Sequence, residues 1–277
     1  MRYLQRPEGR IAYDLHGADG TGPLVVCIPG MADVRGTYRH LAPELAAAGY
    51  RVAAMDLRGH GDSDISFTDY STLAIAGDAA ALVEELGGGP ALLVGNSLGG
   101  TAAAWLAATR PELVQGLVLI GAFLRGDGAG RLKEQSMRAM FLRPWGPGLV
   151  HKYLSGLFAG RTADDHADHL AAIRAQLSPP QRYRAVRSVI ANSYRPVPAR
   201  LDDVCAPALV VMGELDSDWP DPAAEAAWMG ERLGAEVLMV PESGHYPQAQ
   251  QAETVASAVL AFAPADRGEP GLPHPRG

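Results

Sequence analysis

The chain has 277 residues, 47% of them apolar and 20% charged, a balance that fits one α/β domain with insertions and a sizeable buried core. With 24 basic against 31 acidic residues the formal charge is -7, which argues against a nucleic-acid-binding surface. Two cysteines, Cys27 and Cys205, sit in apolar stretches that read as buried strand or strand approach, so no disulfide framework is implied. Neither a signal-peptide core nor a bilayer-length apolar run occurs, and the expectation is a soluble cytoplasmic protein with no membrane partner.

In chain order, Arg10 to Leu15 pairs as an antiparallel edge hairpin with residues near Tyr3. Six short runs rich in Val, Leu and Ile then read as strands: Leu24 to Ile28, Arg51 to Asp56, Ala91 to Gly95, Gly116 to Ile120, Ala208 to Met212 and Glu236 to Val240. Helical spacing of apolar residues marks Tyr38 to Ala48, Leu73 to Leu86, Leu98 to Thr109, Pro222 to Leu233 and Ala252 to Phe262. Such alternation predicts a mostly parallel twisted sheet with helices on both faces. It breaks after Gly121, and residues 122–203 read as an inserted helical cap on a core of 1–121 and 204–263. Within the cap, Phe123, Met137, Met140, Phe141, Leu142, Trp145, Leu149, Tyr153, Leu157 and Phe158 supply bulky apolar surface, most of it needed to hold the cap on the core. The tail 264–277 is Pro, Gly and charge, a composition expected to stay disordered.

The sequence Gly95-Asn96-Ser97-Leu98-Gly99-Gly100 sets a serine between glycines, directly after a strand and directly before a helix. A strand turning that sharply into a helix strains the serine backbone and lifts its hydroxyl above the sheet, the arrangement of a nucleophile elbow. A serine hydroxyl attacks only with a general base beside it and a group that orients the base. His245 follows the last predicted strand, at the carboxyl edge of the sheet where the elbow also lies. For the orienting acid, Asp216 follows the strand Ala208 to Met212, with Asp218 a close competitor and Glu214 another on the same loop.

The order Ser97, Asp216, His245 on alternating strands and helices resembles the α/β-hydrolase family over nearly the whole chain. Two further segments match its pattern, Ile28-Pro29-Gly30-Met31 and Asp56-Leu57-Arg58-Gly59-His60-Gly61-Asp62-Ser63. The resemblance implies an oxyanion hole built from the backbone N–H groups of Met31 and Leu98. The chain departs from many members at Pro29, where they carry His; proline has no N–H, and the donor falls at Met31 regardless. Arg58 to Ser63 is expected to shape a turn, with His60 satisfying backbone groups.

Carboxylic ester or similar acyl cleavage through an acyl-enzyme is the expected chemistry, without a cofactor, on a small-molecule substrate bearing an apolar group. Phe123, Met140, Phe141, Trp145, Trp219 and Tyr246 are the pocket candidates. Asn96 resembles the elbow of family members that cleave carbon–carbon bonds in ring-fission products, which makes that reaction the alternative. The glycine-rich loop typical of those enzymes is missing after Gly30. Epoxide hydrolases and haloalkane dehalogenases of the fold use Asp as nucleophile, against which Ser97 stands, while cofactor-free haloperoxidase-like members keep the serine centre. A non-catalytic ligand-binding member is the alternative from another class. The cluster Asp164, Asp165, His166, Asp168 and His169 has no convincing ligand spacing and reads as a charged helix start, not a metal site. Nothing in the sequence specifies an oligomeric state.

Overall fold

A computed structural model describes residues 1–125, 141–193 and 200–263. Its eight strands are β1 (Arg2–Arg6), β2 (Gly9–His16), β3 (Leu24–Ile28), β4 (Arg51–Met55), β5 (Ala91–Asn96), β6 (Val114–Ile120), β7 (Ala208–Gly213) and β8 (Glu236–Val240). They form one sheet in the order β1-β2-β4-β3-β5-β6-β7-β8. The edge hairpin pairs Leu4 with Ile11 and joins β4 antiparallel, and every pairing from β4 to β8 is parallel. Strands β3, β5 and β7 are buried along their whole length, as parallel strands covered on both faces must be.

Alternation along these strands divides two cores. Leu24, Val26, Ile28, Leu93, Leu117, Leu119, Val210 and Met212 face one side, packed with Ile75, Ala79, Leu82, Ala103, Leu106 and Met229. Val25, Cys27, Val52, Val94, Val118, Ile120 and Val211 face the other, against Tyr38, Leu41, Leu45, Val255 and Val259. Burying one such aliphatic side chain is worth about 1.5–3 kcal/mol, so this double stripe is what fixes the strand register.

The helices are α1 (Leu41–Ala47), α2 (Thr72–Leu86), α3 (Leu98–Thr109), α4 (Gly146–Gly156), α5 (His166–Leu177), α6 (Pro180–Ser193), α7 (Pro222–Leu233), α8 (Pro247–Gln250) and α9 (Ala252–Phe262). Most starts and stops follow local chemistry. Ser71 caps α2 by accepting the Ala74 N–H, Asp221 caps α7 by accepting the Ala224 N–H, and α7 stops at Gly234 in the left-handed region. The helix predicted from Tyr38 begins instead at Leu41, after a 3₁₀ turn over Arg35–Tyr38. Pro43 explains the delay, because a proline without an N–H is tolerated in the first turn and would break a helix begun at Tyr38. Cys205 departs from its expected burial: it is exposed, on the approach to β7, while Cys27 is buried inside β3.

Between β6 and β7 lie α4, α5 and α6, whose Val150, Leu154, Ile173, Leu177, Tyr183 and Val186 form a third apolar cluster with Phe141 and Phe158 from the segments flanking α4. It closes onto Ala32 and Tyr246, from loops beyond the strands β3 and β8, and onto Ala249 of α8. Met137, Met140 and the tail 264–277 lie outside the described residues. Among the described residues no helix is long and apolar enough to cross a membrane.

Candidate active site

Strand β5 ends at Asn96, and Ser97 carries the chain into α3 with φ 54° and ψ -121°. That conformation is strained for any residue with a Cβ, and the neighbouring glycines are what permit it. A Cβ on Gly95 would lie 2.5 Å from the backbone of Gly99, and one on Gly99 would lie 2.0 Å from the Ile28 carbonyl oxygen. Both positions therefore admit only glycine, for the close approach of strand to helix. The Ser97 N–H is fixed by donating to the Ile120 carbonyl at 2.8 Å, while its side chain stays in a nearly closed setting, 5% exposed.

His245 sits on the loop between β8 and α8, fully buried, and its Nδ1 lies 2.7 Å from Asp216 Oδ2. A carboxylate accepts only, so Nδ1 carries the proton and Nε2 is left as an acceptor. Among the described residues that buried Nε2 has no hydrogen-bond partner. Burial pushes the imidazole pKa down, but the adjacent Asp216 charge and hydrogen bond push it up further, and the balance lies above the ordinary value.

The acid loop separates its three candidates. Asp216 is buried and takes the bond from His245, with its other oxygen accepting the Asp218 N–H at 3.0 Å. Asp218 approaches the opposite ring nitrogen, Oδ2 to Nε2 3.7 Å, and accepts the Tyr153 hydroxyl at 2.6 Å. Glu214 is exposed, and its N–H donates to the Val240 carbonyl. Ligand atoms of Asp216, Asp218 and His245 all lie within 4.8 Å of one another, a grouping the Asp216–His245 bond already accounts for.

Several contacts hold the histidine loop. Asn96 Nδ2 donates to the His245 carbonyl at 3.0 Å and to Ile120 at 3.2 Å, tying the elbow to the loop that bears the base. Gln250 Oε1 accepts from the Gly244 N–H and the Ser243 hydroxyl, while its Nε2 donates to the carbonyls of Ala159 and Arg161. Under the ring, a Cβ on Gly121 would sit 2.9 Å from both Nδ1 and Cε1. In the sequence Asn96 reads as a resemblance to carbon–carbon hydrolases and not as a tie to the histidine loop, and Gln250 carries no signal at all, because a glutamine's value here depends on which carbonyls the fold brings opposite it.

Of the two expected oxyanion donors, Leu98 directly follows the serine and Met31 follows Gly30 on the loop after β3. Leu98 is the first residue of α3, where helical N–H groups have no partner within the helix. Gly30, preceding Met31, packs so closely that its Cβ position is 3.1 Å from Ser97 Cβ and 3.6 Å from Oγ.

Of the pocket candidates, Phe123, Trp219 and Tyr246 gather at His245. The Phe123 ring is 4.6 Å from Trp219 and 6.1 Å from the imidazole, and Tyr246 meets the imidazole edge-on at 5.3 Å while stacking on Phe158 at 4.2 Å. Phe141 belongs instead to the cap cluster, where its carbonyl accepts the Tyr183 hydroxyl. Trp145 departs from the pocket expectation: it precedes α4 and is 56% exposed, while the helix that follows buries Gly146, Val150 and Leu154. Met140 lies outside the described residues.

His60 is bound to backbone on both sides, as the turn reading expects: it donates from Nδ1 to the Arg58 carbonyl and accepts the Ala32 N–H at Nε2. The acidic–histidine cluster disperses. Asp165 stands at the N-cap of α5 but spends its carboxylate on Arg39 and His40 instead of capping, and His169 turns towards Asp33.

A family model described as the alpha/beta hydrolase fold matches residues 23–252. The chain is 29% identical over 272 residues to the 2-(acetamidomethylene)succinate hydrolase of Mesorhizobium japonicum, a match covering 92% of each. It is 39% identical over 101 residues to epoxide hydrolase 3 of Siraitia grosvenorii, a match that spans 36% of this chain and only 32% of that relative's length. Among solved structures it is similar to a thermophilic esterase from Thermogutta terrifontis, with TM-score 0.79 and 25% identity over 95% of this chain and 98% of the other.

Proposed function

The chain belongs to the alpha/beta hydrolase fold family and is a hydrolase, and from that premise we propose that it cleaves a carboxylic ester or similar acyl derivative through a covalent acyl-enzyme. The observation that carries this reading is the pairing of a strained serine at the elbow with a buried imidazole whose Nδ1 is bound to Asp216 and whose Nε2 is left to accept a proton. Ser97 Oγ attacks the acyl carbon while its proton passes to His245 Nε2, and Asp216 stabilises the imidazolium. The oxyanion is held by the N–H groups of Met31 and Leu98, each such donor contributing about 3 kcal/mol at the transition state. Collapse expels the alcohol, which takes the proton from His245. Water then attacks the acyl group with His245 again as base, releasing the acid and restoring the serine.

Phe123, 6.1 Å from the imidazole and in tilted contact with Trp219, supports a substrate with an apolar acyl or alcohol group. The carbon–carbon alternative drew on Asn96, and bracing the Ile120 and His245 carbonyls is sufficient reason for an asparagine there. The partial likeness to an epoxide hydrolase comes with a serine at the elbow, where a carboxylate nucleophile is needed for epoxide opening.

Wild type and Ser97→Ala should be compared on p-nitrophenyl esters of increasing acyl length, alongside a vinylogous diketone. The proposal expects ester turnover that falls about 10⁶-fold in Ser97→Ala with the fold unchanged. Retained turnover in the variant, or cleavage of the diketone alone, contradicts it.

A further inference from the structure

The loop that carries the Met31 donor is held from outside by two side chains with no part in the proton transfers. The Asp33 N–H donates to the Gly30 carbonyl at 3.3 Å, closing a turn with Met31 and Ala32 at its corners. Ala32 takes φ 61°, a conformation glycine enters freely and alanine adopts at a cost of about 1–2 kcal/mol. Something must hold it there.

Both peptide groups of Ala32, itself 1% exposed, are gripped by side chains. Its N–H donates to His60 Nε2 at 3.0 Å, and its carbonyl accepts from Gln176 Nε2 at 2.7 Å. Each clamp is anchored in turn, His60 through Nδ1 to the Arg58 carbonyl at 3.0 Å and Gln176 through Oε1, which accepts the Gly61 N–H at 3.0 Å. A ring that donates at one nitrogen and accepts at the other is neutral, and burial, which lowers the His60 pKa to about 4, keeps it so near neutral pH. On the same helix as Gln176, His169 Nε2 lies 3.0 Å from Asp33 Oδ1, a close contact off hydrogen-bond alignment.

The geometry reaches the nucleophile through one rigid unit. The peptide joining Gly30 to Met31 is planar, so a carbonyl pinned by Asp33 points the Met31 N–H the opposite way. Gly30 abuts Ser97 on that loop. We infer that Gln176, carried by the cap helix α5, and His60 are positioning residues for the oxyanion donor of Met31, so that seating of the cap and stabilisation of the tetrahedral intermediate are coupled. The inference rests on the acyl-transfer reading of Ser97.

The test uses Gln176→Met, which keeps the volume and removes both bonds, and Gln176→Glu, which keeps the acceptor for Gly61 and sets a carboxylate against the Ala32 carbonyl. His60→Gln probes the other side. For each, kcat and KM on an activated ester are normalised to titrated Ser97. Inhibition by an alkyl trifluoromethyl ketone, which adds to Ser97 as a tetrahedral oxyanion, is compared with binding of the matching unreactive amide. A misaligned donor should lower kcat about 10- to 100-fold, with KM within about 3-fold. The trifluoromethyl ketone should weaken by a similar factor and the amide should be unaffected. Variants that lose thermal stability yet keep kcat and trifluoromethyl ketone inhibition within about 2-fold of wild type overturn the inference. If wild type itself turns over no ester and forms no ketone adduct, it is the ester reading that fails. If Gln176→Met does not fold, Gln176→Glu and His60→Gln decide on the same criteria.

Discussion

At the scale of single residues, what separates Asp216 from Asp218 is two positions in sequence and opposite sides of one ring. Asp216 meets Nδ1 and Asp218 faces Nε2. Asp216→Asn should therefore reduce kcat by about 10⁴-fold by disturbing the tautomer, whereas Asp218→Asn should leave kcat within an order of magnitude; steady-state kinetics on one ester distinguishes them. The base must be neutral to accept the serine proton, and the His245 pKa is raised, so the acid limb of kcat/KM should fall above the ordinary imidazole value near 6.5. Activity is lost as pH drops through that raised pKa. A limb below the ordinary value would mean that burial outweighs Asp216. Gly121→Ala would drive a methyl into the imidazole and impose φ 51° on alanine. A displacement near 1 Å should cost about 10²-fold in kcat, with the ester KM as the control. Ser97 was legible because a strained turn between glycines leaves a mark in sequence, and His245 because it follows the last strand at the carboxyl edge of the sheet. Gln176 and Gln250 were not, since an amide's partner is a backbone carbonyl that only the fold supplies.

At the scale of elements, β3, β5 and β7 were readable because burial on both faces demands unbroken aliphatic runs, and the partly exposed edge strand β8 also falls at Glu236–Val240 as its apolar run indicates. Helix ends were less legible where one residue's geometry overrode periodicity, as Pro43 does at the start of α1. The four-residue α8 carries no amphipathic repeat and so left no periodic signal, although it brings Gln248 to the Thr37 hydroxyl and Gln250 to the carbonyls of Ala159 and Arg161. Helix α2 is fastened to the turn after β4 by Asp78, fully buried and bound by both Arg6 and Arg58. Asp78→Ala leaves the largely buried Arg58 without its carboxylate. Unfolding in urea should register a loss of about 3–5 kcal/mol, and a loss under 1 kcal/mol would show that the pair is solvent-relaxed.

At the scale of the whole molecule, alternating strands and helices were enough to place Ser97, Asp216 and His245 at one edge of the sheet, because the parallel strands β3 to β8 all have their carboxyl ends on the same side. The region between β6 and β7 was harder to read. Its apolar residues serve two ends at once, so composition could not tell that Phe141 packs within the cap, that Trp145 faces solvent, and that Phe123 reaches the imidazole. The chemistry claimed for this arrangement is a covalent bond to one serine, and intact-mass spectrometry after treatment with an alkyl fluorophosphonate tests it most directly. The account predicts a single phosphonyl addition mapped to the peptide containing Ser97, absent in Ser97→Ala and slowed in His245→Ala. No addition to a folded wild-type protein, or equal labelling of the Ser97→Ala variant, would contradict it.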